Sequence, residues 1–183
     1  QKCVIFYSKK PKYPIEGKNI DRVILKTQSD FIFEQILLPR SIREYKIDVF
    51  HQTGNMGIPV FTCAKSILTV HDLIPFEVKN YFSFSKSPPF SKYLYLFKLY
   101  SSCLKAKKIV TESEYTKKGL INMGICSKKI EVIRLGINLP KKVNFRFIKS
   151  DYILNNGGID IRKNLDLLIR SFEIVHKKKP EYK

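Results

Sequence analysis

Gly157 and Gly158 follow the apolar run Tyr152, Ile153 and Leu154. Arg162 and Lys163 come next, and Asn164 stands where a helix pattern begins. Leu165, Leu168, Ile169, Phe172 and Val175 then recur at the spacing of one helical face. The order predicts a strand, a glycine turn, and a helix N-capped by Asn164 with two cations at its start. Free backbone N–H groups and the helix dipole favour an anion there, and cations at that end are unfavourable unless an anion offsets them. An Arg fork beside a Lys point charge suits a phosphate or diphosphate. The other reading is a solvated charge pair. Neither GxxxxGK[ST] nor GxGxxG is present.

His71-Asp72 is the second chemical signal. It closes the apolar run Ser66–His71, so a strand would deliver the imidazole at its carboxyl end. A histidine so placed can bond a substrate hydroxyl or exchange a proton. It can equally be structural, satisfied by a backbone carbonyl. A metal-dependent phosphohydrolase would need further His and Asp ligands on helices; only His51 and His176 remain, and that reading is set aside. His51 also ends a strand-like run and reads as a buried, hydrogen-bonded histidine. Ser113 reads as a helix cap rather than a nucleophile, since GxSxG is absent. The Thr116 hydroxyl, in the same turn, can reach backbone or ligand.

These residues need elements to position them. Cys3–Tyr7, 23–25, 48–51, 66–71, 109–111 and 130–134 read as short apolar strands. Residues 30–45 read as a helix kinked near Pro39. Residues 52–59 form a glycine-bearing loop, and 76–89 a long loop. Over 90–104, Tyr93, Leu96, Phe97, Tyr100, Cys103 and Leu104 share one helical face, which reads as core, with membrane contact the lesser reading. A helix capped by Ser113 runs to about Met123. Residues 136–150 read as a linker. Strands alternating with helices predict a doubly wound parallel α/β sheet, in which ligands bind beyond the carboxyl ends of strands. His71-Asp72, Glu112-Ser113 and Gly157-Gly158 all occupy such ends.

Composition narrows the classes. The 183 residues suit one domain or a little more, and 44% hydrophobic content permits a core. Cys3, Cys63, Cys103 and Cys126 are scattered without CxxC, pointing to a reducing compartment rather than a zinc or disulfide framework. With 34 basic and 16 acidic residues the net charge is +18, which invites nucleic acid, anionic lipid or an anionic substrate. The lysines are dispersed, so compositional bias explains part of this charge. No RNP, KH, zinc-finger or helix-turn-helix signature appears. No run approaches the roughly 18 apolar residues of a membrane span.

DVFH, SILTVHDLIPF, KIVTESEYTKKGL, KIEVIRLGI and YILNNGGIDIRKNLDLLIRSF, in this order and spacing, resemble the family 4 glycosyltransferases. The likeness covers most of the chain from Asp48 onward and is nearest to the mannosyltransferase-like members with an RKN motif. It implies an α/β chain of the GT-B fold and retaining chemistry. The expected division is an acceptor-side Rossmann-like domain at 1–136, a linker at 137–150, and the start of a second, donor-binding Rossmann-like domain at 151–183. It further implies that Arg162, Lys163 and Gly158 bind the donor diphosphate and that His71 approaches the transferred sugar as the catalytic residue. Asp72, Ser113 and Thr116 would line the cleft; Ser113, Tyr115 and Thr116 match the family's S-x-[FY]-[ST] segment. Fixed cations at the leaving diphosphate make a metal or other cofactor unnecessary. The implied reaction moves a hexose from a nucleotide sugar to a saccharide or lipid-linked acceptor in envelope or polysaccharide assembly. The implied location is cytoplasmic, with peripheral contact at an anionic inner membrane face and no nucleic-acid partner.

Gly158 stands where many relatives carry Arg after the first glycine. The family's E-x7-E segment, and its first strand with a glycine-rich acceptor loop, are not found in this sequence. The chain is therefore expected to be a fragment, inactive by itself. The competing reading is a non-catalytic basic module for nucleic acid or anionic lipid.

Overall fold

The computed structural model describes residues 2–78, 81–84, 88, 90–137, 152–158 and 163–182. The chain divides into two compact units, Gln1–Leu135 and Gly136–Lys183.

In the first unit, strands β1 (Cys3–Tyr7) and β2 (Ile20–Ile24) form a parallel pair, with Cys3 opposite Ile20. A four-stranded parallel sheet has the order β3 (Val49–Gln52), β4 (Lys65–Val70), β5 (Lys108–Thr111), β6 (Ile130–Val132). Every pairing is parallel, so each connection must cross back over the sheet. Short helices α3 (Ile74–Glu77) and α4 (Tyr81–Phe84) and the long α5 (Ser91–Lys105) carry the chain from β4 to β5. Helix α6 (Glu114–Asn122) carries it from β5 to β6. The α/β expectation thus stands, as a Rossmann-like parallel domain.

Strand alternation sends Leu68, Val70, Ile109 and Ile130 to one face, where they meet Leu99 and Cys103 of α5 and Leu120 of α6 in the main core. A second cluster joins Leu38, Ile42, Phe50 and Ala64, with Phe6 and Leu25 packed against it, so both sheets share apolar contacts. The alternate residues Val49, Ile67 and Val110 stand on the opposite face, where Val49 is exposed.

The expected kinked helix over 30–45 proves to be α1 (Asp30–Ile32), a π-turn (Phe33–Leu37) and α2 (Leu38–Glu44). Pro39 has no N–H to continue the ladder, and the wider turn falls just before it. Two more expectations need correction. The stretch 76–89 contains α3 and α4 rather than loop alone. Of the proposed core face of α5, Cys103 is buried and Leu96 half-buried, but Tyr93, Phe97, Tyr100 and Leu104 are exposed; Leu99 and Ser102 face inward beside Cys103. That helix is apolar nearly all round, and its periodicity alone does not choose the buried side.

In the second unit, α7 (Leu165–Lys178) is present, but none of its residues is buried. The strand expected at Tyr152–Leu154 is absent: the three residues are exposed and enter no ladder among the described residues. The expected linker at 137–150 lies, beyond residue 137, outside the described residues.

Thr111 is fully buried at the end of β5, and its hydroxyl finds no partner among the described residues. A buried hydroxyl without a bond is destabilising, by about 1–3 kcal/mol. Thr111→Val should raise the unfolding free energy by about 1 kcal/mol, read as a higher urea midpoint at unchanged slope.

Candidate functional site

His71 follows Val70 directly, at the carboxyl end of β4 and between the ends of β3 and β5. Its ring spans both neighbours. Nδ1 lies 2.5 Å from Glu112 Oε1, and Nε2 lies 2.8 Å from the Thr53 carbonyl oxygen. A carbonyl and an ionised carboxylate are acceptors, so the arrangement favours a ring that donates through both nitrogens. The same contacts hold the His71 pKa above its ordinary value: the Glu112 hydrogen bond contributes most, the Thr53 carbonyl next, and partial burial works against both. The side chain keeps 46% of its surface exposed, so the cation remains reachable from solvent.

The surrounding loops are tied to this strand end. Asn55 Oδ1 accepts from the His71 backbone N–H at 2.8 Å, and its Nδ2 donates to the Asp72 carbonyl and the Tyr95 hydroxyl, each at 3.3 Å. Gln52 Nε2 donates to the Met56 carbonyl, and Ser102 Oγ accepts from the N–H groups of Gly57 and Ile58. Gly57 has φ +108°, a backbone region that side chains rarely adopt.

Ser113 caps α6 as expected, its Oγ accepting from the Thr116 N–H at 3.1 Å. The Thr116 hydroxyl donates to the His71 carbonyl at 3.4 Å, so it serves the backbone. Asp72 Oδ1 accepts from the Ile74 N–H and starts the turn into α3. Gly119 lets α6 approach closely, since a Cβ there would stand 2.6 Å from Leu73 Cδ1. His71, Asp72, Ser113 and Thr116 are therefore gathered at one end of the sheet. Tyr115 is exposed beside them. His51 bonds the Thr69 hydroxyl at 2.8 Å, but it is exposed rather than buried.

Sequence reasoning noted Glu112 as a strand end and missed its partnership with His71. The available signal was register: Val70 and Thr111 are paired, so the residues following them are neighbours on one face.

In the second unit, the Lys163 stem passes over Gly157, its Cδ 3.7 Å from where a Cβ would stand. Asn155 Oδ1 accepts from the Gly157 N–H at 2.9 Å. Gly158 has open space around it. Asn164 holds the cap position of α7, but in the left-handed region (φ 48°) and without a capping side-chain bond. Arg162 lies outside the described residues. Among the described residues, no group of three or more His, Cys, Asp or Glu side chains could hold a metal ion.

The family model for Glycosyltransferase Family 4 matches residues 5–141, well over half of the chain. The chain belongs to glycosyltransferase family 4. No curated protein and no solved structure matches it. Membership brings glycosyl transfer, with a sugar donor and an acceptor as partners. The match covers the parallel sheet and the His71 strand end, and stops before Gly157, Gly158 and Lys163. No helix among the described residues is long and apolar enough to cross a membrane.

His71 bonds are strongest while the ring is charged. A pKa raised in the folded state gives stabilisation that is complete below the unfolded value, about 6.5, and is lost as pH rises through the folded value. Glu112→Gln removes the principal cause of the shift. The stability gap between native protein and variant should be largest near pH 6 and close steadily above neutrality, as followed by thermal midpoints across pH.

Proposed function

We propose that this family 4 chain serves retaining transfer of a hexose from a nucleotide sugar to a saccharide or lipid-linked acceptor. The observation that carries the reading is a solvent-reachable His71, its two ring nitrogens facing Glu112 and the Thr53 carbonyl, at the carboxyl ends of parallel strands in a chain of this family. A sugar hydroxyl could reach the exposed ring by taking the place of the Thr53 carbonyl on Nε2, and a charged ring would favour negative charge developing on a bound substrate. Asp72, Ser113 and Thr116 would shape the acceptor-side wall, mainly by fixing the backbone around His71.

The donor diphosphate would sit at the second unit. Lys163 over Gly157 and an uncapped first turn of α7 offer the charge and N–H groups that such a ligand needs, and Arg162, next to Lys163 in the sequence, would add a second cation. Fixed cations here would take the role that a divalent metal plays at other diphosphate sites. Gly158, without a side chain, leaves room for close approach of a phosphate oxygen. The nearest subtype is mannosyltransferase-like, by the RKN sequence at 162–164, and the setting is envelope or polysaccharide assembly on the cytoplasmic side.

Arg162→Ala and Lys163→Ala should each weaken nucleotide-sugar affinity about tenfold, the loss of one charge-assisted bond. His71→Ala should lower kcat more than it raises KM. Calorimetric affinities unchanged in both cation variants would remove the diphosphate assignment, and unchanged kcat would remove His71.

A further inference from the structure

Helix α5 buries one side and presents another apolar side to solvent. Phe90, just before it, and Tyr93, Leu94, Phe97, Tyr100 and Leu104 are all exposed, Tyr93 at 73% and Phe97 at 70%. At 100° per residue these six lie within about 120° of the helix circumference and run roughly 21 Å along it. Rotation cannot hide them. On the sheet side, Leu99 and Cys103 belong to the main core, and Ser102 accepts from two backbone N–H groups of the 57–58 loop. At the carboxyl end, Lys129 Nζ donates to the Cys103 and Leu104 carbonyls. Lys98 is held by Glu34 at 2.8 Å. The helix is therefore locked with an aromatic stripe outward, and contiguous exposed apolar surface of this kind marks an interaction site.

Charge selects the occupant. Residues 90–108 contain five lysines (92, 98, 105, 107 and 108) and no acidic residue. Lys105 borders the stripe and Lys107 follows the end of the helix, while Lys108 is paired with Glu131 at 2.8 Å. Stacking this face on a second copy would bring together two segments without a carboxylate in a chain already at +18. An anionic bilayer surface meets both features: Tyr and Phe rings suit the boundary between headgroups and acyl chains, and lysines at the edge meet lipid phosphate.

We infer that the outward face of α5 is an in-plane membrane-docking surface for anionic lipid. The stripe enters the interface, and the basic carboxyl end of the helix holds it there by charge. This stands independently of the donor-site proposal, since no residue of the second unit takes part.

The chain contains no tryptophan, so Phe97→Trp places a single emission probe on the stripe. With vesicles rich in phosphatidylglycerol its emission should shift to shorter wavelength, and with phosphatidylcholine alone it should shift little. In co-sedimentation, the Tyr93→Ser/Phe97→Ser double variant should bind anionic vesicles at least tenfold more weakly than the native chain. Lys105→Gln/Lys107→Gln should reduce the binding and its sensitivity to salt. Both residues of the serine variant are exposed, and an unchanged circular dichroism spectrum would confirm its fold. No emission shift, or equal vesicle binding by native and serine-variant protein, would overturn the inference. So would a dimer in sedimentation equilibrium that the serine substitutions abolish.

Discussion

An imidazole held between two acceptors is most stable when both of its ring nitrogens carry protons. That constraint at His71 organises the functional end of the sheet. The ring sits on the central connection between β3, β4 and β5, and its two N–H groups tie the end of β4 to both neighbours at once. A neutral ring would leave either Glu112 or the Thr53 carbonyl facing a lone pair. The charge is thus part of how three strand ends are aligned, and the same charge faces solvent where ligands bind in folds of this type.

The rest of the unit supports that arrangement through backbone bonds more than through side-chain packing. Asn55 reads the backbone on both sides of the His71–Asp72 junction, Thr116 reads the His71 carbonyl, and Ser102 holds the returning loop at Gly57 and Ile58. The main core beneath, from Leu68 and Val70 to Leu99 and Leu120, fixes the elements that carry these groups. Parallel pairing puts all the strand ends on one side, which is why residues far apart in sequence converge there.

Local signals carried much of this architecture. Short apolar runs separated by helical periods located the strands to within a few residues, and Ser113 before an amphipathic run announced its own cap. His71-Asp72 was legible as a strand end, and the structure places it there. What stayed hidden depended on the third dimension. Glu112 becomes a partner only through the β4–β5 register. The buried side of α5 cannot be read from a helix that is apolar on most sides, and there the aromatic face turned outward. Tyr152–Leu154 has the composition of a strand, but a strand exists only where another offers it a ladder. Asn164 has the chemistry of a cap, but its backbone is left-handed and its side chain makes no capping bond.

The most direct test is the protonation state of His71, read by nitrogen NMR of the imidazole at neutral pH. The chain has three histidines, so a His71→Ala spectrum assigns the signals. The account predicts that both His71 nitrogens carry protons at pH 7, with the native Glu112 in place. A His71 ring with one bare nitrogen at that pH would contradict it, and with it the cationic strand end on which the functional reading rests.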